Sequence, residues 1–230
     1  MHKSNLIIFI AELVGTFGLV IAATVSVVYD GRFGQILGPI GNAVVHFVGI
    51  STMIFVFGKY SMAHLNPAVT IGFFISGYID AKKIPLYFVA QTIGAILGSL
   101  FVKQVVGNYG NLGLNFPNYQ YSIPLFYGIE ILATVFLMGG ILIVVSKKKL
   151  PMAIISIVIS AIIAFDVFFL SPISGASMNP IRSVAPALLS GILDDLWLYL
   201  TAPFIGSIIV ALIYRNKFSK NLLSNSSVQL

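Results

Sequence analysis

Cysteine is absent from the 230 residues, and charge is scarce, with Asp, Glu, Lys and Arg together making up 9%. The first absence excludes disulfides and thiolate metal sites and leaves the redox compartment unread. The second excludes a water-soluble domain, whose surface carries about 25% charged residues. Histidine is sparse too, with three in the chain. The apolar stretches hold neither a His/Asp/Glu metal cluster nor a Ser/His pair, so the chain is not expected to be an enzyme, and no metal or cofactor is expected. What remains is 58% hydrophobic, a composition whose solvent is lipid.

A bilayer core of about 30 Å takes about 20 apolar residues in a helix. Such runs fall near 6–28, 36–58, 84–105, 123–146, 151–170 and 195–214. The first exceeds the roughly 7–15 residues of a secretory h-region and reads as a span, not a cleavable signal. Two further apolar stretches, near 67–77 and 180–190, cover half a membrane at about 1.5 Å per residue. Each begins at an Asn-Pro pair, Asn66-Pro67 and Asn179-Pro180. Asn is a favoured N-cap and Pro a favoured first helical residue, so each pair reads as a half-helix start. A lone Asn-Pro would more simply be a turn; a repeated one beside a half-length apolar run is not.

The net charge of +6 suggests nucleic acid until the basic residues are placed. With the N-terminus inside, Lys3, Lys59, Lys82, Lys83, Lys147, Lys148, Lys149, Arg215, Lys217 and Lys220 are cytoplasmic, against Arg32, Lys103 and Arg182 outside. That split is the positive-inside pattern. The expectation is a multi-pass cell-membrane protein with both termini cytoplasmic and no nucleic-acid partner.

The two halves repeat. Glu12 in AELVGTF answers Glu130 in IEILATVF, each followed four residues later by Thr; Leu86-Tyr87, Ala90 and Gly94 answer Leu198-Tyr199, Ala202 and Gly206. Three spans per half is odd, so the second copy sits upside down. Inverted repeats with interrupted helices point to a midplane pore or binding site. The chain therefore reads as one channel domain, 1–230, with repeats of approximately 6–105 and 123–214. Gly94 and Gly98 form a small-xxx-small pair suited to packing within the subunit.

HLNPAVT and SGASMNPIRSVAPAL, with a Glu in the first and fourth spans, resemble the aquaporin and glycerol-facilitator superfamily, the major intrinsic proteins. The resemblance implies an all-α membrane fold of six transmembrane helices and two re-entrant half-helices in an inverted repeat. It implies that Asn66, Pro67, Ala68 and Asn179, Pro180, Ile181 are the paired pore motifs. Two half-helix N-termini, each carrying roughly half a positive charge, then face one another at the midplane and repel cations, while the amides hold a permeating water. By spacing, the resemblance gives the constriction as His46, Val167, Ala176 and Arg182, a set similar to the tonoplast-type channels. Arg182 would sit at its narrowest point, with a snorkelling rim Arg as the bland alternative. His46 alternatively faces a neighbouring helix and bonds a backbone carbonyl.

Glu12 and Glu130 would accept hydrogen bonds from the loops that enter the membrane, with a proton relay as the rival role. His64 would line the inner vestibule. Asp166 reads as a mouth-facing solvated charge. Two departures from the family pattern, Met62 and Ile181, put bulk beside the pore. Facilitators usually carry Asp after the Arg; here Ser183 stands there, and the single Trp, Trp197, suits an interfacial belt. The expected activity is passive passage of water, with ammonia or other small neutral solutes as further permeants and protons and ions excluded. A glycerol- or urea-type facilitator is the alternative, and a closed-pore adhesion protein the third reading. The expected partners are these solutes, the bilayer and, by family resemblance alone, three further copies in a homotetramer.

The missing thiols make one consequence testable. Mercuric ion should leave water flux through reconstituted protein unchanged; a block reversed by a thiol reductant would contradict it.

Overall fold

The computed structural model describes residues 4–147 and 150–226, with side chains to residue 217. Lys3, Lys148 and Lys149 lie outside the described residues, as does the side chain of Lys220. The described residues form helices and connecting loops, with no strand. In chain order the helices are α1 (Asn5–Phe33), α2 (Gly38–Ser61), α3 (Pro67–Ile75), α4 (Ile84–Val105), α5 (Ile123–Val145), α6 (Met152–Ser174), α7 (Pro180–Ser190) and α8 (Leu196–Ser226). Six of them are long and apolar enough to cross a membrane. α3 and α7, of nine and eleven residues, are the half-helices; at about 1.5 Å per residue each covers about half the bilayer core.

Local chemistry sets several boundaries. Ser4 caps α1, its Oγ accepting from Ile7 N–H at 3.3 Å. The helix runs beyond the expected residue 28 to Phe33 and stops at Gly34, whose φ of 92° ends it in a left-handed turn. α6 also outruns its expected end at residue 170: it accommodates Pro172 in its last turn and ends at Ser174. Asn66 and Asn179 cap α3 and α7, their Oδ1 atoms accepting from Ala68 N–H at 2.8 Å and Ile181 N–H at 3.2 Å. Pro follows each at the first helical position, where its missing N–H costs nothing.

The fold is the inverted aquaporin-like repeat. Within the first half α1 packs on α2 and α4; within the second α5 packs on α6 and α8. α2 and α6 meet across the halves, and each half-helix lies against the opposite half, α3 on α8 and α7 on α4. Trp197 opens the last span half-exposed and stacks on Tyr127 with ring centroids 5.6 Å apart, as an interfacial belt requires.

The helix crossings are made at glycine. A Cβ at Gly94 would stand 2.3 Å from the Leu13 carbonyl oxygen, and at Gly98 2.7 Å from that of Phe17, both on α1. A Cβ at Gly206 would stand 2.5 Å from the Ile131 carbonyl on α5. These contacts meet backbone, so no side-chain adjustment relieves them. With lipid equally apolar, such close approach is what associates spans. Gly94→Leu and Gly206→Leu should each lower thermal stability in detergent, by about 1–3 kcal/mol or more, whereas Gly139→Leu, at a position with open space around it, should be tolerated. Equal melting temperatures for all three would refute the crossing argument.

Candidate functional site

Two irregular segments carry the chain into the half-helices. In the first, Met62, Ala63 and Leu65 have φ values of 68°, 46° and 50°; in the second, Ala176 and Met178 have 44° and 55°. Non-glycine residues in the left-handed region cost on the order of 1 kcal/mol each, so something must hold them there. The holders are Glu12 and Glu130, both fully buried.

Glu12 accepts from Ser61 Oγ at 2.6 Å, His64 N–H at 2.9 Å, Leu65 N–H at 2.8 Å and Gln91 Nε2 at 2.8 Å. Glu130 accepts from Ser174 Oγ at 2.8 Å, Ser177 N–H at 3.0 Å and Met178 N–H at 3.3 Å. A pair of tyrosines completes the support, Tyr87 donating to the Ser61 carbonyl at 2.7 Å and Tyr199 to that of Ser174 at 2.6 Å. Backbone that would otherwise stand unsatisfied at membrane depth is thus bonded.

The asparagines meet head to head. Asn66 Nδ2 donates to the Met178 carbonyl at 2.8 Å, and Asn179 Nδ2 to the Leu65 carbonyl at 2.9 Å. Each amide spends one N–H on the opposite loop and keeps one for the cavity that both line. That cavity, of about 240 Å³, reaches a rim at Met62, Lys147, Leu150 and Met152, where α2 and α5 end and α6 begins. Its walls on α5 and α6 are aliphatic, among them Leu137, Ile141, Ile155 and Ile159.

A second cavity of about 240 Å³ opens at the other end, against Asn42, Asn115, Phe116 and Ser171. The two share four lining residues, His46, Val167, Ala176 and Arg182, the set expected from the sequence. His46 also forms the backbone bond of its alternative reading: Nδ1 faces the Asn42 carbonyl at 2.9 Å, within its own helix, while the ring lines both cavities. Arg182 is 7% exposed and so is no snorkelling rim residue. Its guanidinium donates to the Gly113 carbonyl at 2.8 Å, the Ala23 carbonyl at 2.8 Å and Asn115 Oδ1. Charge-assisted bonds to buried oxygens fix it.

Other expectations divide. His64 lines the main cavity but is stacked between Phe73 and Tyr87, with centroids 4.4 and 4.3 Å away, and its Nδ1 lies 3.1 Å from Thr70 Oγ1. Met62 does line the main cavity. Ile181 does not line either cavity; it packs into the hydrophobic core, so its bulk acts on α7 packing. Asp166 is no solvated charge: it is fully buried, and neither carboxyl oxygen has a protein partner among the described residues.

The sequence reading gave no site role to Asn115, Ser183, Gly175 or Gln91, all of which the site uses. Asn115, Ser183 and Gly175 form one network, with Asn115 Oδ1 accepting from Ser183 Oγ at 2.7 Å and Nδ2 donating to the Gly175 carbonyl at 2.7 Å. Gln91 bridges Glu12 and Thr70; an uncharged polar residue inside an otherwise apolar span was its available signal.

Fold and site together define a multi-pass membrane protein built around an internal channel, with its polar groups on two re-entrant loops. The family model for the major intrinsic protein matches residues 1–214, and the chain belongs to that family of membrane channels. It is 35% identical to aquaporin NIP3-1 of Arabidopsis thaliana over 86% of its own length and 64% of that protein's, so it spans about two thirds of that relative. It is 35% identical to the probable aquaporin NIP7-1 of the same plant, covering 91% of this chain and 76% of that protein, and 32% identical to nodulin-26 of Glycine max, covering 89% and 75%. The crystal structure of the aquaglyceroporin from Plasmodium falciparum superposes with a TM-score of 0.83 at 26% identity, covering 92% of this chain and 96% of that one. These plant relatives are of the NIP type or nodulin-26 itself.

The buried bonds to Glu130 generate a test. Glu130→Ala leaves loop donors unpaired at about 1–3 kcal/mol each, so it should lower detergent stability, and Glu130→Gln should do so less. Solute ratios through the surviving protein should be unchanged. Normal stability with an altered pH dependence of flux would instead mark a proton relay.

Proposed function

We propose that this chain is a passive channel for water and for small neutral solutes of ammonia size, closed to protons and ions, with His46, Val167, Ala176 and Arg182 as its selectivity filter. The observation that carries the reading is that the two cavities share these four lining residues. A solute crossing from one to the other passes between an imidazole, a guanidinium and two small apolar walls.

The paired half-helices work with this ring. The N-termini of α3 and α7 meet at the asparagines, and their partial positive charges add to that of Arg182. Cations are repelled, while a water oxygen accepting from the free N–H groups of Asn66 and Asn179 cannot accept from the next water, which interrupts a proton wire. The Asn66-Pro67-Ala68 and Asn179-Pro180-Ile181 motifs act as the midplane pore motifs, with Glu12 and Glu130 as loop supports and His64 beside the inner vestibule. The halves are the repeats 6–105 and 123–214 of one domain. By the distribution of Lys and Arg, both termini face the cytoplasm of a cell membrane, and the Met62–Lys147 rim is the inner mouth. Assembly as a homotetramer, each copy with its own passage, follows the family pattern.

Passage of a glycerol- or urea-sized solute is the second reading. Val167 and Ala176 leave two walls of the filter without bulk, and the structural neighbour is an aquaglyceroporin. Ser183 in place of an Asp after Arg182, and Trp197 away from the filter, favour the smaller solutes.

Proteoliposome swelling with water, ammonia, urea and glycerol decides between the readings. Water flux with a low activation energy, and ammonia flux well above glycerol flux, are expected. His46→Phe with Val167→His should narrow the ring and cut the ammonia-to-water ratio several-fold. Water flux equal to that of empty liposomes would defeat the channel reading, and an unchanged ratio in the double variant would defeat the filter assignment.

A further inference from the structure

Asn115 lies in the irregular segment 106–122, yet it is only 4% exposed. Its amide has one orientation. Nδ2 donates to the Gly175 carbonyl at 2.7 Å, while Oδ1 accepts from Ser183 Oγ at 2.7 Å and from Arg182 Nη1. A carbonyl only accepts and a guanidinium only donates, so exchanging the two limbs would break the bonds at both. The segment is itself seated on α1: Gly113 approaches so closely that a Cβ there would stand 2.9 Å from Thr24 Cα. Thr24 follows Ala23, so the three acceptors of Arg182, two carbonyls and Asn115 Oδ1, belong to one packed unit.

A guanidinium has five N–H groups in one plane. Gly113 and Asn115 take both hydrogens of Nη1, and Ala23 takes one of Nη2. The second hydrogen of Nη2 and that of Nε are left for the cavities that Arg182 lines. The two carbonyls alone would pin one N–H on each terminal nitrogen and let the plane hinge about the line joining them. The third bond stops that hinge, and its acceptor is the one of the three that a side chain supplies.

We propose that Asn115 is a positioning residue for the filter: by holding Nη1 it fixes how far the guanidinium reaches into the constriction and which two N–H groups a permeant meets. The proposal rests on the reading of His46, Val167, Ala176 and Arg182 as the filter. A guanidinium free to hinge leaves its place at the constriction part of the time, and solutes larger than ammonia then pass.

Two measurements on the full chain in proteoliposomes test this. The first is the nitrogen magnetic resonance of the three arginines, Arg32, Arg182 and Arg215, with Arg182→Lys to assign the signal. A guanidinium held on both terminal nitrogens gives separate Nη signals, and a freed one gives a merged pair. The second is the glycerol-to-water flux ratio, in which loss of folded protein cancels. Asn115→Ala should merge the Arg182 Nη signals and raise the ratio by up to about ten-fold, the effect of one charge-assisted hydrogen bond. Asn115→Asp keeps an acceptor for Nη1 and Ser183 but gives up the N–H bonded to the Gly175 carbonyl, so it should recover separate signals and most of the selectivity. Parent-like signals and ratio in Asn115→Ala overturn the proposal. So does Asn115→Asp behaving as Asn115→Ala, which would make the bond to Gly175, and not the hold on Arg182, the role of Asn115. Parent vesicles that pass no water defeat the filter reading instead, while the Arg182 signals still decide whether Asn115 holds the guanidinium.

Discussion

The structure depends on keeping irregular backbone satisfied at the depth of the bilayer. Lipid supplies no hydrogen bonds, so a chain that leaves helical geometry there must find partners within the protein. Residues 62–65 and 175–178 leave it, with five non-glycine residues in the left-handed region. Glu12 and Glu130 supply the acceptors, buried at the level of the loops by helices α1 and α5. Everything that faces the passage follows from those bonds: the caps at Asn66 and Asn179, the meeting of α3 and α7, and the line of Ala176 and Arg182 on the constriction. A carboxylate in a span is expensive, and here its cost is offset by the loop geometry it makes possible.

Polarity in the passage is consequently one-sided. The loops and the constriction carry the donors and acceptors, while α5 and α6 present aliphatic side chains to the same lumen. On the proposed reading, a permeant would bond along one wall and slide along the other, without the many contacts that would trap it. Arg182 fits the same economy of contact. Its three hydrogen-bond partners are neutral oxygens, which hold the guanidinium in place without themselves adding an opposing charge.

Much of this was legible in the sequence because membrane physics writes in long strokes. Six apolar runs, two half-length runs and the capping pairs Asn66-Pro67 and Asn179-Pro180 specify the elements, since length and capping are local properties. The four residues that both cavities share are those that the family resemblance gave by spacing from Asn66 and Arg182, and such spacing carries over while the intervening helices keep one geometry. Ends of spans were harder: α1 runs to Phe33 because Asp30, unread as structural, accepts from Leu37 and Gly38 N–H at 2.8 Å and turns the chain there. Asn115 was invisible because it lies in the irregular segment 106–122, where no period marks which residue turns inward. Asp166 was misread as solvated because adjacency to a span end says nothing of burial. Ile181, expected to put bulk beside the pore, packs into the core instead, two residues past the cap at Asn179.

The repeat also shows where function departs from architecture. The positions that support the loops keep their chemistry across the two halves: Glu12 and Glu130, Ser61 and Ser174, Tyr87 and Tyr199 make equivalent bonds. The positions that face the lumen do not. Applying the 113-residue spacing of Asn66 and Asn179 to the constriction, His46 answers Ile159, Val167 answers Ile54, Ala176 answers Ala63 and Arg182 answers Val69. All four counterparts line the main cavity. The two halves therefore line the passage differently, with a cation and an imidazole where the two cavities meet and aliphatic side chains at the matching positions in the main cavity. Support residues are held alike because both loops face the same penalty for unbonded backbone. Lumen residues are under no such constraint, and on the proposed reading a permeant would need to be selected only once.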